Sequence, residues 1–119
     1  MPLILYGIPN CDTVKKARTW LDQNAIAYQF HDFKKAGLDA GTVKGWLQQV
    51  SWEALVNRKG TTWRAQPDAR KAAIQDATSA TALMLEFTSV IKRPVLVRDG
   101  QAFVGFSSDA YQQIFESKA

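Results

Sequence analysis

The first thirty-one residues hold the pattern that most restricts how this chain can fold. Leu3, Ile4, Leu5 and Tyr6 form a continuous apolar run stopped by Gly7 and Pro9, which predicts a short central strand buried on both faces. Val14, Ala17, Trp20 and Leu21 then recur at the three-and-four spacing of one helical face between Asp12 and Asn24. Ile26, Tyr28 and Phe30 alternate across residues 25–31, so a second strand follows at once. Strand, helix and strand within so short a span predict a βαβ unit with parallel strands and a right-handed crossover.

The middle of the chain keeps a helical period. Val43, Trp46, Leu47 and Val50 share one face of a helix over 38–50, and 52–56 adds a further turn. Residues 58–64, with Gly60 and Thr61–Thr62, read as loop. Pro67 and Asp68 start a helix reaching about Asp76, and 79–87 forms another around Ala82, Leu83 and Leu85. Beyond Pro94, Val95 to Val97 and Ala102 to Val104 flank Asp99–Gly100, a dipeptide of tight hairpins, and 107–116 closes the chain as a helix. The order β-α-β, helical insertion, β-β-α predicts an α/β fold with a thioredoxin-like mixed sheet. It is expected as a single domain over 1–119, with an inserted helical subdomain at about 36–90.

With 119 residues, 46% of them hydrophobic, the chain can bury a core, and no stretch approaches the ~20 apolar residues of a membrane span. Its start shows neither a basic flank nor a long apolar segment, so a cytoplasmic location is expected. Fifteen basic residues face 11 acidic ones, in short scattered groups that give no basic arm for nucleic acid. This modest excess suits an anionic ligand.

There is one cysteine, Cys11, and one histidine, His31. An internal disulfide and a cysteine-only metal site are therefore excluded, and any thiol chemistry needs an external partner. Cys11 falls where the buried strand turns into the helix, the place where open α/β sheets bind ligands. Asn10 is expected as the N-cap, with Cys11 at the first helical position. Unpaired helical N–H groups and the dipole favour an anion there and can bring a thiol pKa from ~8.5 down to ~3.5–7.5. Lys15, one turn on, would add to this, and Asp12 would oppose it. The alternative is a small buried hydrophobe, which sits more naturally within a strand or on an apolar stripe. His31 reads as a surface or capping residue, Trp20, Trp46 and Trp52 as core, and Trp63 as a wall of a pocket.

Four blocks in order resemble one family. Gly7 to Arg18 reads G-x-x-N-C-D-T-x-K-K-A-R, followed by Trp52–Glu53–Ala54–Leu55 with Asn57–Arg58–Lys59–Gly60–Thr61–Thr62–Trp63–Arg64, then Ile91–Lys92–Arg93–Pro94, then Gly105–Phe106–Ser107. Together they resemble the arsenate reductase (ArsC/Spx) family, closest to its YffB-like branch of reductases. The resemblance covers nearly the whole chain and implies a thioredoxin-like fold, a nucleophilic Cys11 and a basic pocket for an oxyanion or glutathione. It implies that Arg93 faces the cysteine and that Pro94 is the cis-proline placed beside the thiol. Arg58 lies within one position of a second oxyanion-binding arginine, where this chain has Asn57, and Arg64 is its alternative. The third arginine of arsenate reductases aligns near Phe106 and is missing, and the second sulfur of the Cys-x-x-Cys of Spx regulators is replaced by Val14.

The resulting expectation is a monothiol, glutathione-dependent thiol oxidoreductase. Cys11 is catalytic, with Asn10, Lys15, Arg58, Arg64, Arg93 and Pro94 around substrate or glutathione. Glutathione serves as co-substrate, no cofactor or metal is bound, no nucleic acid or membrane is engaged, and the protein is a monomer. Arsenate reduction and a non-catalytic, Spx-like regulatory binding role stand as the alternatives.

Overall fold

The computed structural model describes residues 3–116. Strand β1 (Leu3–Gly7), helix α1 (Asp12–Gln23) and strand β2 (Gln29–Asp32) open the fold. Helices α2 (Ala40–Leu47), α3 (Trp52–Leu55), α4 (Thr61–Arg64), α5 (Asp68–Ala73) and α6 (Ala77–Glu86) follow, with a 3-10 turn at Thr88–Val90. The hairpin of β3 (Val95–Arg98) and β4 (Gln101–Val104) leads into α7 (Ser108–Glu116). The sheet order is β2-β1-β3-β4, with β1 parallel to β2 and the other pairs antiparallel. This is the mixed, thioredoxin-like sheet expected from the order of elements.

Alternation along the strands divides the interior into two cores. Leu5 and Leu96 join Ala17, Leu21 and Tyr111 beneath α1 and α7. Tyr6, Val95 and Ala102 face the other way, where Val43, Trp46, Leu55, Leu83 and Met84 of the helical block cover the sheet. Period-2 side-chain placement on shared strands thus ties both layers to one sheet.

Four elements depart most from the sequence pattern. Strand β2 starts at Gln29 rather than residue 25, because the end of α1 uses the intervening residues. The N–H of Ala25 donates to Asp22 O and that of Ile26 to Leu21 O, closing a Schellman motif with Ala25 at φ 56°. Residues 61–64 form a helical turn instead of loop, since Arg64 and Ala65 donate back to Gly60 and Thr61 while Trp63 packs on the helical core. The helix begun at Asp68 stops at Ala73, because Asp76 is committed as the N-cap of α6 in a reciprocal capping box with Ser79. Helix α2 is shorter than 38–50, starting after Asp39, whose carboxylate accepts from Thr42 N at 2.7 Å.

Candidate active site

Strand β1 ends at Gly7, and that glycine sets how closely α1 approaches. A Cβ built there would stand 2.9 Å from Val14 Cγ2, so a side chain would push the helix away. The close approach fixes the first turn of α1 at the carboxyl end of a central strand. Cys11 occupies the N-cap position with extended backbone (φ −109°, ψ 127°), and the helix starts at Asp12. Asn10 is therefore exposed one residue before the cap, correcting the expectation that it caps the helix.

This shift has an electrostatic result. Among the described residues no side-chain oxygen caps α1, so its first amides are left for the sulfur and whatever binds beside it. Partial burial pushes the Cys11 thiol up, but the N–H of Val14, the Arg93 guanidinium and the N–H of Thr13 outweigh it, and the pKa falls below its ordinary value.

Arg93 is held by the chain just before β3. Its Nη1 donates to Ser89 O at 3.0 Å and to Ile91 O at 3.4 Å, and its buried Nε has no partner among the described residues. The Arg93–Pro94 peptide bond is cis, and Pro94 O accepts from Gly105 N at 2.8 Å. The guanidinium is thereby fixed by backbone carbonyls while its charge reaches the thiol.

Cys11, Thr13, Lys92 and Arg93 share one cavity of about 1110 Å³ with Asn57, the length of β4, and residues 105–107. Phe106 gives this cavity an aromatic wall, edge-on to Tyr111 at 4.7 Å. The other arginines of the sequence reading lie elsewhere. Arg58 is exposed, 3.8 Å from Glu53 and 5.8 Å from the centroid of Trp52, and the exposed Arg64 does not line the cavity. Lys15 opens onto a separate shallow hollow with Lys16, Trp20, Phe106 and Ser108. Trp63 packs on the helical core and is not a wall of this cavity. His31 bonds Gly37 O at 2.9 Å and leans on Tyr6, a structural contact.

Lys92 and Asn57 are among the lining residues that sequence reasoning did not assign to the site. Both stand next to residues that were singled out, Arg93 and Arg58. The signal was there in the blocks: Lys92 lines the cavity together with Arg93, whereas side-chain direction put Asn57 rather than Arg58 on it. Among the described residues no group of acidic, histidine or cysteine side chains is arranged to hold a metal.

Known proteins resemble this chain over nearly its whole length. The chain is 40% identical over 113 residues to an uncharacterized protein of Haemophilus influenzae, covering 95% of this chain and 98% of that relative. A solved YffB protein matches at 48% identity with a TM-score of 0.89, covering 93% of this chain and 96% of that one. An arsenate reductase (ArsC) related protein from Brucella melitensis matches at 51% identity with a TM-score of 0.76, over 98% and 96% of the two chains. The ArsC family model matches residues 6–114, essentially the whole described fold with its cysteine, its Arg–Pro turn and its helical block, and the chain belongs to the ArsC family.

Proposed function

We propose that this protein is a monothiol thiol oxidoreductase that uses glutathione. The observation that carries the reading is the convergence of the Val14 and Thr13 amides and the Arg93 guanidinium on a single, partly exposed thiol. A thiolate is the attacking species in disulfide exchange, and groups that favour it raise its fraction at neutral pH.

The reaction proceeds in two exchanges. The Cys11 thiolate attacks one sulfur of a glutathione mixed disulfide, forming a Cys11–glutathione disulfide as the substrate leaves as thiolate. A second glutathione thiolate then attacks the glutathione sulfur of that adduct, freeing Cys11 and forming oxidised glutathione. Two electrons pass from two glutathiones to the substrate disulfide. The chain has a single cysteine, and Val14, where a dithiol relative carries its second sulfur, is wholly buried. The resolving thiol therefore comes from outside.

Glutathione is favoured as that thiol because it brings carboxylates to a cavity that Arg93, which acts on Cys11, lines together with Lys92. Arsenate is less well served. With Phe106 in the wall and Arg58 and Arg64 directed elsewhere, a multiply charged oxyanion at the sulfur meets few of the guanidiniums it needs. Oxidised glutathione should add one glutathione to Cys11, visible by mass spectrometry and reversed by reduced glutathione, and thiol titration should give a depressed pKa. An ordinary pKa together with an unmodified protein would overturn the reading.

A further inference from the structure

The cavity at Cys11 continues along the open side of β4. That strand is an edge of the sheet, paired among the described residues with β3 alone. Its register fixes which backbone groups point outward. Gly105 N donates inward to Pro94 O, and Val104 stands opposite Val95 in the preceding, non-bonded position. Val104 N–H and C=O, and Ala102 C=O two residues back, therefore face away from β3, toward the cavity that β4 lines. The far end of the same edge is already occupied by a peptide-like group. Gln49 Nε2 donates to Gly100 O at 2.8 Å, and Gln49 Oε1 accepts from Ala102 N at 3.4 Å, so a side-chain amide pairs there as a strand would.

We propose that the free part of the β4 edge is a docking strand for an extended segment of a protein substrate, which pairs with Val104 and so presents its mixed disulfide to Cys11. The inference deepens the thiol-reductase reading and rests on it. Three features select this occupant. The edge offers both a donor and an acceptor at Val104, which main-chain pairing uses and a compact anion does not. Gln49 blocks the hairpin end, so the guest is short and kept at the end of β4 nearest Gly105 and Cys11. Lys92 lies over that end, its Cε 3.6 Å from where a Cβ on Gly105 would be, and Lys92 and Arg93 line the cavity there with no carboxylate among its described lining residues, while Arg98, at the hairpin end, pairs with Asp99. The guest is therefore an acidic segment whose cysteine carries glutathione. Cys11 attacks the glutathione sulfur, the S–S bond to the protein breaks, and the protein cysteine leaves as thiolate.

The test uses the full chain with Cys11→Ser, which binds without turnover, and a synthetic acidic peptide of about eight residues with a glutathionylated central cysteine. A second peptide of the same sequence is N-methylated at alternate backbone positions. The native peptide should bind about tenfold more tightly than the N-methylated one and should slow hydrogen exchange at the Val104 amide. Equal affinities, or a Val104 amide that exchanges as fast in the complex, overturn the docking strand. A Val104 amide protected in the free protein as its concentration rises would assign the edge to a second copy of the chain and overturn it too. Turnover of the small disulfide between cysteine and glutathione, measured with the unaltered protein, separates the two readings. Its absence would sink the reductase chemistry, whereas the binding result decides the docking strand either way.

Discussion

At the scale of single residues, the charge on Arg93 and the first amides of α1 make Cys11 a better acid than an ordinary thiol. Arg93→Ala should raise the Cys11 pKa and slow its alkylation by iodoacetamide at neutral pH several-fold, with Arg93→Lys recovering part of the rate through charge alone. An unchanged rate in Arg93→Ala would show that the helix amides suffice. The same shift links to stability. Because the folded-state pKa lies below the unfolded one, the thiolate stabilises the fold fully above the unfolded pKa, and this is lost as pH falls through the folded pKa. Cys11→Ser should flatten that part of the stability profile. Tyr111 presents the opposite case, a hydroxyl buried without a partner among the described residues, and burial alone pushes its pKa up. The phenol stays neutral at all ordinary pH. Tyr111→Phe removes a desolvated hydroxyl while keeping the ring against Phe106 and Trp20, so it should stabilise the protein by about 1 kcal/mol in urea unfolding. A loss of stability instead would reveal a hydrogen bond the hydroxyl makes in solution.

At the scale of elements, the helices differ in how they begin. Asp39, Ser51 and Asp76 cap α2, α3 and α6 through side-chain oxygens, whereas among the described residues α1 begins at Cys11 with no such bond, as do the short α4 and α5. A capped α1 would have satisfied the amides that the thiolate and its partner require. The position of the cysteine at the β1–α1 junction was legible because an apolar run ending in Gly7 and an amphipathic repeat starting at Asp12 leave little freedom between them. The cap itself was not, since Asn10 is the better capping residue by propensity and only tertiary placement put Cys11 there instead. The C-terminal end of α1 was equally hidden. A Schellman motif usually has glycine at its left-handed position, and this chain has the exposed Ala25. Left-handed alanine costs about 1 kcal/mol, and glycine's extra unfolded entropy offsets roughly half of that, so Ala25→Gly should raise stability by about 0.5 kcal/mol. A decrease in the thermal midpoint would mean that the motif is absent in solution.

At the scale of the whole molecule, the question is whether the block between β2 and β3 is a separate unit or part of one cooperative fold. Periodicity revealed its helices but not their partners, because period alone cannot say which sheet face a helix covers. The structure settles the contact: Val43, Trp46, Leu55 and Met84 lie against the Tyr6, Val95 and Ala102 face, while α1 and α7 cover Leu5 and Leu96 on the other. The same strands β1 and β3 thus serve both cores, so losing either core exposes a face of strands that the other still needs. Such sharing predicts a single transition. The tryptophans offer natural reporters, with Trp20 on the α1–α7 side and Trp46, Trp52 and Trp63 on the helical side. A variant keeping only Trp20 and another keeping only Trp63, each with the other tryptophans replaced by phenylalanine, should unfold in urea with the same midpoint as the circular dichroism of that variant. An earlier Trp63 transition would show that the helical block melts first. It would also predict that Asn57, carried between α3 and α4, leaves the Cys11 cavity before the sheet itself opens.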